Sequence, residues 1–377
     1  MEIQFLPTEP QILFILLLLY FFTAATQLFY YWFFFARLAF YKKPAERAEE
    51  KPVSVVISAK NEYHNLKKNL PLILEQDHPD YEVIVVNDAS DDESSEFLQE
   101  MEEKYAQLKV VTLHQNLNFF SGKKFPLSLG IRSAKNELIL LTDADCRPAG
   151  NQWIRLMASG FLPGTEVVLG YGPYEKRRGF LNRLIRFDTF HIAVQYLSFS
   201  LSGNTYMGVG RNLAYQRSLF YRQKGFTSHY QVASGDDDLF INKVADKHNT
   251  AICIENGAHT ISKPNEKFLR WFRQKRRHLS TGKLYRPKFK FLLGIYNLSL
   301  LLFLILFVFL LTTAAWPAAL SVFIFRMIQQ LIIIKKCSSK LNERDLLVFS
   351  PLLEIILILT NLALGFTNLF SRKNTWK

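Results

Sequence analysis

Two strongly apolar regions enclose a long, more polar central region, and this arrangement restricts the fold more than any other feature. Residues 11–36 contain no charged side chain, and long apolar stretches recur after residue 290. About 20 consecutive apolar residues are enough to cross the hydrocarbon core of a bilayer. The hydrophobic fraction of 49%, with 33 Phe, also exceeds ordinary soluble usage. We therefore expect a membrane protein with a folded domain between its membrane segments.

The N-terminal segment, residues 1–45, is predicted to form a transmembrane helix rather than a cleaved signal peptide. No Lys or Arg precedes its apolar run, whereas Arg37, Lys42, Lys43 and Arg47 follow it. A signal peptide carries its positive charges before the apolar run. Because Lys and Arg are enriched on the cytoplasmic side of membrane segments, the chain after Lys42 is expected to begin in the cytoplasm.

The C-terminal region, residues 287–377, is predicted to contain three membrane helices. The first two, at about residues 291–311 and 316–334, would form a hairpin, because cations flank its two ends. The third, at about residues 346–370, either crosses the membrane, or is re-entrant or lies at the membrane surface. Crossing would place the last cations of the chain outside, against the charge rule.

The third segment also carries Glu354 and Asn361. A carboxyl group inside a membrane segment is either functional or simply faces the other helices. Both interpretations remain open from the sequence. The cations beyond this segment are Arg372, Lys373 and Lys377.

The central region, residues 46–286, alternates short β-branched runs with amphipathic stretches, which indicates an α/β domain. Strands are predicted at residues 53–58, 82–86, 109–113 and 138–142. Helices are expected near residues 65–74, 94–108 and 123–134. In an open parallel sheet, ligands bind at the carboxyl ends of the strands.

Polar motifs follow three of these strands. They are Ala59, Asn61 and Glu62 after the first strand, Asp88 after the second, and Asp143 and Asp145 after the fourth. Asp143 and Asp145 alternate along extended backbone, so their carboxylates face the same side and suit Mg²⁺ or Mn²⁺. Such an ion is commonly completed by substrate phosphates, which points to a nucleotide diphosphate. Asp88 is placed to accept hydrogen bonds from a base or a ribose.

Other phosphate-binding motifs do not fit. Lys123, preceded by Gly122, could bring a cation and backbone donors to a phosphate, but the GxxxxGK[ST] frame is absent. No GxGxxG motif follows the first strand. Kinase, NTPase and dinucleotide-binding functions therefore lose their main support.

Farther along, Asp236, Asp237 and Asp238 precede a predicted helix. Acidic residues favour a helix N-terminus, but three in a row exceed that need. One of them could take a proton from an attacking hydroxyl, a role that contributes about 10²- to 10⁴-fold in rate. Upstream, the loop that contains Gly210 and Arg211 would let a substrate approach the backbone closely.

The net charge of +13 is compatible with nucleic acid, anionic lipid or phosphorylated ligands. Residues 176–199 and 265–280 mix aromatic and cationic side chains and are predicted to be helices at the membrane surface. The membrane segments beside them favour lipid over nucleic acid, and we expect no nucleic-acid partner. Cys146, Cys253 and Cys337 show no spacing typical of disulfide frameworks or zinc sites.

The order of these motifs resembles that of family 2 glycosyltransferases with a GT-A fold, in their membrane-anchored bacterial type. The resemblance covers about residues 52–285. It rests on the Asn61-Glu62 loop, Asp88, the Asp143/Asp145 pair, Asp236-Asp237 and the spacing of Gln274 and Arg277. The QxxRW motif of the family has His278 here in place of Trp. The implied fold is a Rossmann-like α/β domain with flanking transmembrane α-helices.

The resemblance also implies roles for individual residues. Asp237 would be the catalytic base. If the acidic pair of the family aligns one residue earlier or later, Asp236 or Asp238 would take this role. The donor side would comprise Ala59, Asn61, Glu62, Asp88, Lys123, Asp143, Gln274 and Arg277, and the metal, Mg²⁺ or Mn²⁺, would bind Asp143 and Asp145. The acceptor side would comprise Gly210, Arg211, Asp238 and His278.

The expected function is inverting transfer of a sugar from a nucleotide-diphospho-sugar, with UDP favoured by the resemblance, to a lipid or glycan acceptor. The enzyme is expected in the cell (inner or plasma) membrane, with several membrane passes and a cytoplasmic catalytic domain. A processive polysaccharide synthase is a rival that the small number of helices disfavours. Further rivals are a noncatalytic nucleotide-sugar receptor and a metal phosphohydrolase, although the aspartyl-phosphate type carries its DxD after the first strand.

Overall fold

The computed structural model describes residues 9–44, 50–114, 122–232 and 234–370 of the chain. Its central domain contains a seven-stranded sheet in the order β3-β2-β1-β4-β7-β6-β8 and a two-stranded sheet of β5 and β9. The strands are β1 (Val53–Ala59), β2 (Tyr81–Asp88), β3 (Leu108–Leu113), β4 (Leu138–Asp143), β5 (Cys146–Pro148), β6 (Val167–Leu169), β7 (Leu213–Gln216), β8 (Thr250–Ile252) and β9 (Thr260–Ser262).

The first four strands are parallel, as predicted, and β7 joins β4 in the antiparallel direction. The register pairs Ser58 of β1 with Asp143 of β4. The carboxyl ends of β1, β2 and β4 therefore lie together at one edge. The predicted α/β class and parallel core are confirmed.

Thirteen α-helices are found among the described residues. They are α1 (Glu9–Phe29), α2 (Ala36–Ala39), α3 (Tyr63–Leu74), α4 (Ser94–Lys104), α5 (Lys124–Ser133), α6 (Trp153–Ala158), α7 (Phe180–Leu201), α8 (Arg217–Arg222), α9 (Asp238–Val244), α10 (Phe268–Thr281), α11 (Pro287–Leu310), α12 (Trp316–Lys340) and α13 (Ser350–Phe370). A π-helical segment, Tyr30–Phe35, connects α1 to α2.

Alternate residues of the strands enter two separate cores, because successive side chains point to opposite faces of a sheet. Val55 belongs to the core under α3 and α6, whereas Val56 belongs to the core that continues into α7 and the membrane helices. Close approach of α5 to the sheet requires Gly130. A Cβ atom at that position would lie 2.4 Å from Cγ1 of Val56.

In the described part of the chain, four helical segments are long and apolar enough to cross a membrane: Glu9–Ala39, Pro287–Leu310, Trp316–Lys340 and Ser350–Thr367. Large apolar side chains such as Phe22 point outward from them, which suits contact with lipid. The segment whose placement the sequence left open forms one uninterrupted helix, α13. The cations Arg47, Arg372, Lys373 and Lys377, used above for orientation, lie outside the described residues.

Glu354 of α13 is paired within the helix bundle. Its Oε2 lies 2.9 Å from Nη1 of Arg326 on α12, and both side chains are buried. The Arg326 guanidinium also donates to Gln27, Tyr31 and Gln330. A buried charge needs such partners, and this network joins α1, α12 and α13.

The helix α7, which the sequence predicted at the membrane surface, is largely buried between the sheet and the membrane helices. Arg186 on α7 forms a buried ion pair with Glu343 and a second ion pair with the half-exposed Asp345, and both acids lie between α12 and α13. The helix thus connects the central α/β domain to the membrane region. Its other cation, Arg183, lies over the ring of Phe349, 4.4 Å from Cζ to the ring centroid.

Candidate active site

One cavity of about 1010 Å³ opens at the carboxyl ends of β1, β2 and β4. It collects the residues that the sequence singled out for catalysis and binding, except Ala59. The lining set includes Asn61, Glu62, Asp88, Lys123, Asp143, Asp145, Gly210, Arg211, Asp236, Asp237, Asp238, Gln274, Arg277 and His278. The side chain of Ala59 lies in the core under α3 instead.

The loop after β1 is held to the loop after β2 by hydrogen bonds. Asn61 has a positive φ of 55°, which Asn adopts more easily than most residues. Its backbone N–H donates to Oγ of Ser90, and its Oδ1 accepts from the backbone N–H of Asp91. Asp88 ends β2 beside this loop. Burial raises the pKa of Asp88, partly opposed by the Lys60 ammonium.

Asp143 is the last residue of β4, and Asp145 follows it in the turn after the strand, separated by Ala144. Their carboxylate oxygens and Sγ of Cys146 all lie within 4.8 Å of one another. The thiol is buried beside Ser262, and burial raises its pKa well above the usual value. The carboxylates of Asp143 and Asp145 are the oxygen donors of this group that could hold a divalent ion. Oxygen donors of this kind fit Mg²⁺ or Mn²⁺.

The Lys123 ammonium lies between two acidic motifs. Its Nζ is 2.6 Å from Oδ1 of Asp143 and 3.4 Å from Oδ2 of Asp236. Burial alone would raise the pKa of Asp143, but the neighbouring lysine outweighs it and lowers that pKa. Asp145 has no such partner among the ion pairs of the described residues. Burial and the charge of Asp143 raise its pKa.

The turn before α9 positions Asp237. Gly235 has a φ of 97°, and a Cβ there would lie 2.5 Å from Cδ1 of Leu239, so only glycine suits this position. Oδ2 of Asp237 accepts from the backbone N–H of Gly210 at 2.7 Å. Oδ1 accepts from the N–H of Asp238 at 2.7 Å. Burial and the adjacent Asp236 and Asp238 raise the pKa of Asp237 to about 7.

Asp238, predicted on the acceptor side, makes structural contacts. Its Oδ2 accepts hydrogen bonds from the hydroxyls of Thr281 and Tyr285. These residues lie at the end of α10 and just before α11. Asp238 therefore connects the acidic turn to the beginning of the membrane hairpin, while still lining the cavity.

The helix α10 presents Gln274, Arg277 and His278 to the cavity. Gln274 accepts a hydrogen bond from Nδ2 of Asn265 at 2.7 Å. Burial and the cations Arg277 and Arg211 lower the pKa of His278 to about 3. The imidazole is therefore neutral at physiological pH, so His278 offers hydrogen bonding rather than charge.

Several cavity residues were missed by the sequence analysis. Lys275 of α10 and Asp188 of α7 form a buried ion pair on the cavity wall. Tyr174 lies under the Arg211 guanidinium, 4.9 Å from ring centroid to Cζ. Lys275 lies between Gln274 and Arg277, but their motif gives it no role, and Asp188 and Tyr174 belong to no short motif. The partners of these residues are distant in sequence. Glu354 and Asn361 also line the cavity, and their polarity within an apolar segment was the available signal.

The α/β sheet with acidic residues at its strand ends agrees with the GT-A fold that the motifs predicted. Residues 54–223 match the family model described as Glycosyl transferase family 2. The chain therefore carries a family 2 glycosyltransferase domain, as its motifs predicted.

Relatives and a solved structure agree with this class. The chain is 29% identical over 101 residues to the poly-beta-1,6-N-acetyl-D-glucosamine synthase of Staphylococcus epidermidis, covering 27% of this chain and 23% of that protein. It is 29% identical over 125 residues to glycosyltransferase AglE of Haloferax volcanii, covering 33% and 39%. The matches thus span well under half of these relatives.

Among solved structures, the mannosyltransferase PcManGT of Pyrobaculum calidifontis, in complex with GDP-Man and Mn²⁺, superposes with a TM-score of 0.56 and 21% identity. The match covers 90% of this chain and 97% of that one. At this identity the likeness is one of fold. It extends over the membrane-helix region as well as the sheet.

Proposed function

We propose that the protein is a membrane-bound, inverting glycosyltransferase that moves a sugar from a nucleotide-diphospho-sugar to a hydroxyl of a lipid or membrane-proximal acceptor. The convergence of Asp88, the Asp143/Asp145 pair, Asp237 and Arg277 on one cavity carries this proposal. The family 2 domain supports a nucleotide-sugar donor. We assign UDP as the nucleotide, and the catalytic domain to the cytoplasmic side of the cell membrane.

The donor occupies the sheet side of the cavity in this proposal. Asp88 accepts hydrogen bonds from the base or ribose, and Lys123 and Arg277 contact the diphosphate. Asp143 and Asp145 would hold Mg²⁺ or Mn²⁺, as the Mn²⁺ in the mannosyltransferase complex suggests. A bound divalent ion offsets negative charge on the leaving diphosphate.

The acceptor side performs the proton transfer. Asp237 removes the proton from the acceptor hydroxyl while the hydroxyl oxygen forms a bond to the anomeric carbon. The bond from that carbon to the diphosphate breaks on the opposite face, which inverts the configuration and releases the nucleotide diphosphate. A pKa of about 7 suits a general base that works near neutral pH. Arg277 stabilises the developing charge on the leaving group.

The test uses membranes that contain the full chain. A panel of radiolabelled nucleotide-sugars is added with and without Mn²⁺, and the labelled lipid fraction is separated and identified. We expect transfer from one class of donor, dependent on the divalent ion. Absence of transfer from every donor would favour a noncatalytic nucleotide-sugar receptor.

A processive synthase is the second candidate. The partial similarity to a polysaccharide synthase and the continuation of the cavity among the membrane helices favour it. Product length discriminates between the two. A single added sugar supports simple transfer, whereas a ladder of long products supports the synthase.

A further inference from the structure

The cavity that holds the acidic residues does not end at the catalytic domain. It continues between α11 and α13, where Leu293, Asn297, Leu357 and Asn361 belong to its wall. Both helices are long and apolar enough to cross a membrane. One continuous space therefore runs from Asp237 into the membrane-helix bundle.

Asn361 on α13 is a polar residue in the apolar part of this space. Its Oδ1 is buried and has no hydrogen-bond partner among the described residues. A desolvated amide oxygen without a donor is unfavourable. Polar residues inside membrane segments commonly mark a substrate path. A ligand that donates a hydrogen bond would satisfy this atom.

One part of the wall around Asn361 is aliphatic. Among the described residues, α11 and α13 supply the aliphatic side chains of Leu293, Leu300, Leu357 and Ile358, besides Gly294, the amides Asn297 and Asn361, and the charged Lys290 and Glu354, of which Glu354 is paired with Arg326. A glycan presents many hydroxyl groups, each of which needs a polar partner away from water. A hydrocarbon chain needs none. The wall therefore suits a hydrocarbon chain better than a glycan.

Gly294 leaves this space open. A Cβ atom built on Gly294, which lines the cavity, would meet nothing within 4 Å. A larger side chain can therefore be accommodated without moving the backbone, and it would fill part of the cavity.

We propose that the extension between α11 and α13 is a subsite for the hydrocarbon chain of a lipid acceptor. The lipid enters from the bilayer, its chain lies along Leu293 and Leu357, and its polar head passes Asn361 toward Asp237. This inference rests on the proposed function and specifies the acceptor as a long-chain lipid whose head carries the reacting oxygen.

The test compares Gly294→Phe with Gly365→Phe. Gly365 is also a membrane-helix residue with nothing within 4 Å of a built Cβ, but it does not line the cavity. The purified full-length protein in detergent micelles is illuminated with dodecyl phosphate that carries a diazirine at the end of its chain. Cross-linked peptides are identified by mass spectrometry.

We expect saturable labelling of residues 287–310 and 350–367, reduced at least tenfold by Gly294→Phe and unchanged by Gly365→Phe. Unlabelled dodecyl phosphate and dodecanol should both compete. Stronger competition by the phosphate would identify a phosphorylated lipid, and equal competition an uncharged alcohol head. Labelling that does not saturate, or that both variants lower equally, would overturn the subsite. Competition by chitotetraose would assign the space to a glycan instead.

Cross-linking requires neither donor nor transfer, so its outcome is independent of catalysis. Donor hydrolysis to free sugar is measured in parallel for both variants. Normal hydrolysis with lost cross-linking in Gly294→Phe would support the subsite. Saturable cross-linking without any activity toward nucleotide-sugars would retain the lipid subsite and contradict the proposed function.

Discussion

At the scale of single residues, Asp237 is the side chain on which the proposed chemistry depends most. Replacing it with Asn keeps its shape but removes its ability to take a proton. We expect Asp237→Asn to lower kcat by about 10²- to 10⁴-fold while donor binding stays within a few fold. Transfer of labelled sugar and equilibrium binding of the nucleotide diphosphate measure the two quantities.

Glu103→Gln, at an exposed position on α4 away from the cavity, is the matched control and should keep full activity. Asp236→Asn is made in parallel because Asp236 adjoins Asp237 and lies 3.4 Å from Lys123. Full activity in Asp237→Asn with loss in Asp236→Asn would transfer the role of base to Asp236.

The raised pKa of Asp237 has opposite consequences for activity and stability. Transfer should increase as pH rises through about 7, because the base must be ionised. Stability should fall over the range from about 4 to 7, since the folded carboxyl still holds a proton that the unfolded chain has released. Asp237→Asn removes this titration, so the unfolding temperature of the variant relative to the wild type should rise between about pH 4 and pH 7. A difference that does not change with pH over this range would contradict the raised pKa.

Lys123 neutralises the acids that are predicted to bind the metal. Lys123→Met should strengthen Mn²⁺ binding in the absence of donor, because the ion no longer competes with the lysine ammonium for the carboxylates. We expect an increase in affinity of about tenfold, which corresponds to one pKa unit of lost interaction between Lys123 and the acids. Electron paramagnetic resonance of free Mn²⁺ measures it without catalysis. Lys247→Met, at an exposed position, serves as control. Unchanged or weaker Mn²⁺ binding would show that Lys123 does not compete with the ion.

At the scale of elements, the position of α10 depends on a buried ion pair with α7. Removing only one partner leaves an unpaired buried charge, which costs about 3–5 kcal/mol. Lys275→Met should therefore lower thermal stability strongly, and the double variant Lys275→Met/Asp188→Leu should recover much of the loss. Thermal unfolding of Lys275→Met, Asp188→Leu and the double variant completes a double-mutant cycle. Additive losses would mean that the two side chains act independently.

Helices and strands that have a characteristic pattern of neighbouring residues could be predicted from the sequence. The placement of elements held by residues distant in sequence could not. The strands with β-branched runs and the helix after Asp238 were predicted from local pattern. The burial of α7 was not predictable, because the partners of Arg186 are about 160 positions away in sequence. In the site, strand-end acids could be predicted from their position after apolar runs. The Lys275 and Asp188 pair could not, because no motif joins two helices.

At the scale of the whole molecule, the flanking cations predict which side of the membrane each connection faces. Thr313 lies between α11 and α12, and Ser339 lies at the other end of α12 near several lysines. If the catalytic domain is cytoplasmic, Thr313 faces outside and Ser339 faces the cytoplasm. A single cysteine introduced at either position shows, by its reaction with a thiol reagent, on which side of the membrane that position lies.

The expected labelling in intact cells follows from this orientation. A membrane-impermeant maleimide should label Thr313→Cys directly and Ser339→Cys only after permeabilisation. The native thiols Cys146, Cys253 and Cys337 are buried and should contribute little background, which the unsubstituted chain measures. The reverse pattern would place the acidic cavity outside the cell. Nucleotide-sugars made in the cytoplasm would then be unable to reach it, so this labelling pattern decides whether the donor side of the proposed function is accessible.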